Sequence, residues 1–315
     1  MSDHTDCRTI LVTGAAGFLG SHTVDSLLAD GLRVIGLDNF STGRRCNLDS
    51  AAAHPNFKLH EMNLLNEGAL ASVMTEPIDA IIHLAALVSV SAAEEDPMLN
   101  FRLNIAGTQL IAETARTYNV PRVVFASSAA VYGDQSTLPI QESIEPQPIG
   151  QYGTAKRVSE QILYQYARSY GLTTVCLRYF NIFGPRQDPS SPYSGVISIF
   201  TDRFRKGKGV TVFGDGKQTR DFIHVSDAAR ANRMMATEEA IKTGAYNVCT
   251  GQARSLLDLI DALQASYPNV PATTFEAPRA GDIAHSLGNP DKLRDATGFQ
   301  AAMLFRKGIQ ALANA

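Results

Sequence analysis

Short apolar runs rich in β-branched residues recur along the chain, separated by longer stretches in which apolar residues return every three or four positions. Residues 9–13 (TILVT), 33–37 (RVIGL), 80–84 (AIIHL), 122–126 (RVVFA) and 173–177 (TTVCL) are too short for helices. Their near-continuous apolar character predicts strands buried on both faces. Between them, residues 21–30 (SHTVDSLLAD), closed by Gly31, predict a helix. So do residues 104–118, where Leu110, Ile111, Thr114 and Ala115 share a face, and residues 152–170. Strand-helix-strand alternation of this kind predicts an α/β fold, a doubly wound, Rossmann-like parallel sheet with helices on both faces.

The rhythm weakens after about Asn181, where Pro185, Pro189, Pro192, Gly207, Gly209, Gly214 and Gly216 punctuate short elements. Residues 246–248 (YNV) are expected to return one strand to the main sheet. The expected division is a doubly wound domain over residues 1–180, with a return of about 222–250, and a smaller C-terminal lobe made mainly of 181–315.

Composition narrows the function classes. A chain of 315 residues, 44% hydrophobic, can bury a full core. The net charge of −3 gives no reason to expect nucleic acid as a partner. The one short cationic run, residues 203–208, reads as a solvated helix end. Cys7, Cys46, Cys176 and Cys249 are scattered, so neither a disulfide framework nor a metal is expected. The polar, acidic start argues against a secretory signal, and no apolar run approaches the ~20 residues that span a bilayer. The expectation is a cytoplasmic protein with no membrane partner.

Two constellations carry chemistry. Gly14, Gly17 and Gly20 follow the first predicted strand and open the first predicted helix. In that setting the first glycine permits a tight turn, the second lets backbone approach a pyrophosphate, and the third lets helix pack on strand. The helix N-terminus then offers amides to phosphate. Asp38 ends the second strand, where a carboxylate accepts from ribose hydroxyls and repels a 2′-phosphate. This points to NAD; Arg44 and Arg45 keep NADP open as the alternative. The second constellation is Tyr152-Gly-Thr-Ala-Lys156, whose i, i+4 spacing puts both side chains on one helix face. A tyrosine is a poor base at its ordinary pKa of about 10, and a neighbouring ammonium favours the phenolate. Ser128, at a strand's carboxyl end, is placed to donate to the oxygen that Tyr152 deprotonates.

The motifs T-G-A-A-G-F-L-G, L-D-N, H-L-A-A, A-S-S-A-A-V-Y-G, Y-x-x-x-K, L-R-Y-F-N and T-R-D-F-I-H-V occur in that order, from about Thr9 to about Phe299. Together they resemble the extended short-chain dehydrogenase/reductases, in particular the UDP-glucose and UDP-N-acetylglucosamine 4-epimerases. The resemblance implies NAD held by Gly14, Gly17, Phe18, Leu19, Gly20, Asp38, Asn39, Asn63, Leu64, Ala85, Ala86 and Asn104, with Tyr152, Lys156, Tyr179 and Phe180 at the nicotinamide. Asn63 stands where the family often has Asp. Ser128, Tyr152 and Lys156 become the catalytic group. Asn181, Val196, Phe213, Arg220, Arg279 and Asp282 would grip the UDP. Ser286, with Ala129 and Gly195, would leave room for a 2-acetamido group, against which Val88 is somewhat bulky.

The activity implied is reversible oxidation at C4 of a UDP-sugar, through a transient 4-keto sugar that presents its other face before reduction. Related dehydratases and decarboxylases carry acidic residues just after the serine; here those positions are Ala129 and Ala130. Other nucleotide-sugar enzymes of the family, and a non-catalytic NAD sensor, remain the alternatives. The resemblance also implies a homodimer through helices at about residues 100–118 and 152–170.

Overall fold

The computed structural model describes residues 8–66, 68–188, 195–278 and 283–314. Its strands are β1 (Thr9–Thr13), β2 (Arg33–Asp38), β3 (Phe57–Glu61), β4 (Ala80–His83), β5 (Arg122–Ser128), β6 (Thr173–Tyr179), β7 (Asn181–Phe183), β8 (Thr211–Phe213), β9 (Thr219–His224), β10 (Gly244–Val248), β11 (Ala253–Ser255) and β12 (Thr274–Glu276). Its α-helices are α1 (Phe18–Ala29), α2 (Asp49–Ala52), α3 (Ala69–Val73), α4 (Val90–Glu95), α5 (Pro97–Asn100), α6 (Gly107–Thr117), α7 (Gly150–Tyr170), α8 (Val196–Arg205), α9 (Val225–Thr237), α10 (Leu256–Gln264), α11 (Asp291–Thr297) and α12 (Phe305–Asn314).

Seven strands form one parallel sheet in the order β10-β6-β5-β4-β1-β2-β3. Side chains of β1 alternate between its two faces. Ile10 and Val12 join Val24 and Leu27 of α1 and Met235 of α9 in one core. Leu11 joins Ile81, Ile111 of α6 and Leu163 of α7 in the other. Ile10, Leu11 and Val12 are all fully buried, which is why the run is apolar throughout rather than alternating. A third core, with Phe183, Phe200, Phe204, Phe222 and Leu263, lies beyond β6. There β7, β9 and β11 form a small mixed sheet, and β8 pairs with β12.

The structure adds details to the pattern. β3 (FKLHE) was not anticipated: it is an edge strand, half covered, with Lys58 and Glu61 exposed, so its polarity hides it. α1 starts at Phe18, inside the glycine loop, three residues before the apolar repeat becomes visible. The helix expected over 104–118 is a π-helical turn, Phe101–Ala106, running into α6. Asp221 of β9 is fully buried and accepts from Thr250 N, Thr250 Oγ1 and Gly251 N at 2.7–2.8 Å, so β9 is fastened to the turn that follows β10. Among the described residues, no helix is long and apolar enough to cross a membrane.

Ile82, fully buried in β4 at the sheet's centre, should cost about 2–5 kcal/mol on truncation to Ala. Lys58→Ala on the exposed face of β3 should cost less than about 0.5 kcal/mol. Urea unfolding of both variants checks the contrast.

Candidate active site

Sheet order reverses direction at β1, whose neighbours are β2 on one side and β4 on the other. The carboxyl ends of these strands therefore frame a crevice. Gly14 turns the chain out of β1 with φ +71°, and a Cβ there would stand 2.7 Å from Ala85 N. At Gly20 a Cβ would meet Gly14 O at 1.9 Å, so only glycine lets α1 start this close to the loop. Gly17 is the N-cap of α1 and offers no capping side chain, which leaves the first amides of the helix for an anion. Asp38, 7% exposed, accepts from Ala16 N (2.9 Å) through one carboxylate oxygen and from Phe40 N (2.7 Å) through the other. On the β4 side, Thr13 Oγ1 accepts from Leu84 N and Ala85 N, both at 3.2 Å. Its own hydrogen then goes to His83 Nδ1, 2.8 Å away. Burial, then the nearby Lys156, pull His83 down to about 3, so this imidazole is neutral.

Three connected hollows form one groove. A cleft of about 400 Å³ is lined by Gly14, Gly17, Phe18, Leu19, Gly20, Asp38, Ala85, Ala86, Ser128, Tyr152, Lys156, Tyr179, Phe180 and Asn181. A smaller hollow of about 70 Å³ shares Gly14, Asp38, Ala85 and Ala86 with it, and adds Asn39, Asn63 and Leu64. At the other end, Asn181 is shared with a cavity of about 480 Å³ that also has Val196, Phe213 and Arg220 in its wall. Thus nearly all the residues proposed from the sequence come together.

Two do not join them, and two more lie outside the described residues. Asn104 is 1% exposed and clamps Leu87: it accepts from Leu87 N (3.1 Å) and donates to Leu87 O (3.0 Å), behind the lining rather than in it. Ser286 is fixed by its N–H to Thr219 O (3.1 Å) and is not in the wall of any of the three hollows. Arg279 and Asp282 lie outside the described residues. The side chains of Asn39 and Asn63 each accept from a backbone amide two residues on, Ser41 N (3.1 Å) and Leu65 N (3.0 Å), which shapes the two loops around the small hollow.

Ser128 ends β5, and Tyr152 and Lys156 face it from the first turns of α7. Lys156, 2% exposed, donates to Ala126 O at 2.8 Å, and its Nζ is 5.8 Å from the centre of the Tyr152 ring. Burial pulls this ammonium down to about 7. Burial pushes the Tyr152 phenol up, and its hydrogen bond with Ser128 pulls it back. The i, i+4 spacing predicts that Lys156 lowers the tyrosine. In the structure Lys156 donates to Ala126 O rather than to the phenol, and the direct hydrogen bond to Tyr152 comes from Ser128.

Some site residues were not foreseen. Arg203 is exposed, as its place in the cationic run predicts, but it also lines the large cavity and donates from Nε to Gly209 O at 2.7 Å. Its signal was helical spacing: Val196, Ile199, Phe200 and Arg203 fall on one face of α8, and all line the cavity. Gln218, Thr42 and Gln187 also line the groove and carry no comparable pattern.

The residues present fit NAD. The glycine loop allows close backbone approach, the α1 amides are uncapped, and the buried Asp38 faces where an adenosine ribose would lie. Arg44 and Arg45 pair with Asp188 and Glu61 at the surface, and the carboxylate of Asp38 is what disfavours a 2′-phosphate.

Residues 10–249 match the NAD dependent epimerase/dehydratase family. The UDP-glucose 4-epimerase of Mycolicibacterium smegmatis is 35% identical over 300 residues, 95% of each chain. The solved structure of a UDP-N-acetylglucosamine 4-epimerase from Methanobrevibacter ruminantium, in complex with UDP-N-acetylmuramic acid, is 34% identical, covers 98% of this chain and 97% of its own, and superposes with a TM-score of 0.92. The Thermus thermophilus UDP-glucose 4-epimerase in complex with NAD is 34% identical over 97% of this chain and 98% of its own, with a TM-score of 0.86. The glycine loop, the Asp38 carboxylate and the Ser128–Tyr152–Lys156 group thus stand in a chain that belongs to the NAD dependent epimerase/dehydratase family.

Proposed function

We propose that the protein is an NAD-dependent UDP-hexose 4-epimerase that interconverts UDP-glucose with UDP-galactose and UDP-N-acetylglucosamine with UDP-N-acetylgalactosamine. The observation that carries this reading is the shared wall at Asn181. Ser128, Tyr152 and Lys156 sit where the cofactor cleft opens into a cavity bearing Arg203 and Arg220. Arginine suits a diphosphate because its planar fork donates in pairs. Among the described lining residues of these two hollows the only carboxylate is Asp38, at the far end. Among the described residues of the groove no carboxylate stands beside Ser128 to expel water or carbon dioxide, which favours an isomerase over a dehydratase or decarboxylase.

NAD bound in the cleft supplies reversible hydride acceptance at the sugar C4. The chain's residues do the rest. Arg203, Arg220 and Phe213 hold the nucleotide end, which lets the sugar turn without leaving. Tyr152 Oη takes the proton of the C4 hydroxyl and later returns it to the C4 oxygen, once the sugar has turned its other face to the cleft. Ser128, with one hydrogen to give, steadies the Tyr152 phenolate before substrate arrives and donates to the C4 oxygen once it is bound. Lys156, poised near neutrality, supplies positive charge beside the reacting end of the groove. The likeness to the Methanobrevibacter enzyme supports acceptance of the acetamido series, whereas Ser286, Ala129 and Gly195 stand outside the walls of the hollows and lend it no support. The same reading gives residues 1–180, with the β10 return, mainly to NAD, and 181–315 mainly to the nucleotide sugar.

The protein is also proposed to act as a homodimer in the cytoplasm. Met98, Phe101, Leu110 and Tyr118, around α5 and α6, and Tyr170 at the end of α7 are large apolar or aromatic side chains 40–64% exposed on neighbouring helices. Unpaired thiols at Cys46, Cys176 and Cys249 suit a reducing compartment.

Incubation with UDP-glucose or UDP-N-acetylglucosamine, followed by proton NMR, should yield the C4 epimer with no net NADH. NAD binding with neither sugar converted would sink the proposal. Ser128→Ala removes the hydrogen bond that offsets burial at Tyr152, so the rising limb of kcat should move to higher pH and kcat should fall by about 10²- to 10⁴-fold. An unmoved limb would show that Ser128 does not tune the tyrosine. Leu110→Glu should convert a dimer to a monomer in light scattering; a wild-type monomer would exclude the dimer at once.

A further inference from the structure

Tyr152, Lys156 and Glu160 are spaced four apart and fall on one face of α7. Each is tied to one of the last three residues of β5. Lys156 donates to Ala126 O (2.8 Å), Ser127 Oγ donates to Glu160 Oε1 (2.7 Å), and Ser128 hydrogen-bonds Tyr152. Two of these three ties belong to the reacting group. The third does not, and it is the most elaborate.

Glu160 is fully buried, a placement that is costly for a carboxylate unless it is paired. Arg178 of β6, 2% exposed, supplies the partner: Nε donates to Oε1 at 2.8 Å and Nη2 to Oε2 at 2.7 Å. The guanidinium lies 4.7 Å from the Tyr132 ring centre, and Tyr132 OH donates to Asn247 Oδ1 of β10 at 2.7 Å. In the β5–β6 register Ser127 is opposite Arg178, and Ser128 is opposite Tyr179. The ion pair therefore lies one residue behind the catalytic row and connects α7 to three adjacent strands. Stability alone does not account for it, because apolar residues of similar volume often serve a buried site as well or better. What a forked ion pair supplies in addition is a fixed geometry.

We propose that Glu160, oriented by Arg178, is a positioning residue that sets α7 along β5 and thereby holds Tyr152 against Ser128. The proposal rests on the assignment of Ser128, Tyr152 and Lys156 as the reacting group. A shift of about 1 Å in such a group can cost a hundredfold in rate.

Three variants of the NAD-loaded enzyme test it. Ser127→Ala cuts the tie to β5 and leaves the ion pair intact. Ser127→Thr keeps the hydroxyl. Glu160→Leu with Arg178→Met removes both charges together, so that neither is stranded. Two readouts are taken: steady-state kinetics with UDP-glucose, and the ultraviolet titration of Tyr152, isolated by difference from Tyr152→Phe.

Ser127→Ala should lower kcat roughly ten- to a hundredfold and move the Tyr152 titration to higher pH. KM should stay within about twofold, since nucleotide binding is untouched. Ser127→Thr should restore both readouts. The double variant should lose at least as much kcat while melting no lower than wild type. Wild-type kcat and an unmoved Tyr152 titration in the stable double variant would overturn the proposal, as would a loss confined to KM. The titration needs no substrate: if no UDP-sugar is converted yet the Tyr152 titration still shifts, the epimerase reading fails and the positioning role stands.

Discussion

All seven strands of the main sheet run the same way, and that constraint organises the rest of the molecule. A parallel sheet collects every strand's carboxyl end on one edge, so every loop that leaves a strand there opens into common space. Asp38, Ser128 and Tyr179 close three different strands, yet they line a single groove, and Thr13 and His83 close two more in the buried layer behind it. Helices on both faces keep water from the sheet, so the strand ends are held rigidly by backbone pairing and by two apolar cores. Reactive groups on such ends inherit that rigidity without further bracing, whereas groups on the covering helices do not. Tyr152 and Lys156 come from a helix, and this is where the chain invests buried polar contacts.

Burial also sets the chemical character of the site. It pulls Lys156 towards neutrality and pushes Tyr152 away from ionisation, so both proton carriers are moved towards their uncharged forms. A hydroxyl at Ser128 and positive charge arriving with a cofactor then have large leverage over which form is present, because little solvent competes. His83, kept neutral behind the lysine, adds no charge to this balance. The site responds to what enters it.

How much of this could be read from the chain followed from the physics of each element. β1, β4, β5 and β6 were legible because burial on two faces demands uninterrupted apolar residues. β3 was not, since an edge strand with one covered side tolerates Lys58 and Glu61. The glycine loop was legible because only glycine satisfies its contacts, and Tyr152 with Lys156 because one helix carries both. Arg203 was obscured because it is exposed like its basic neighbours, and exposure alone gives no sign that one cation of the run also lines a cavity. Glu160 and Arg178 were invisible as a pair: they are 18 residues apart in the chain, on a helix and a strand, with no spacing rule to join them. The hydrogen-bond partner of Lys156 was hidden for a related reason. Residue spacing places two side chains on one face but does not say which acceptor the ammonium will choose, and here it is Ala126 O.

β10 shows what this order of elements means for the birth of the molecule. It pairs with β6 at one margin of the sheet, but residues 244–248 are synthesised some 65 positions later. Until they emerge, a nascent chain has a long apolar strand, β6, with one unpaired flank, the kind of surface that recruits stray strands from other chains. The segment made in that interval, β7 to α9, folds against α1 and the small sheet, and so brings the missing strand back to its place. The margin of the sheet is thus the last part to be sealed, and it is open to other partners for as long as that takes.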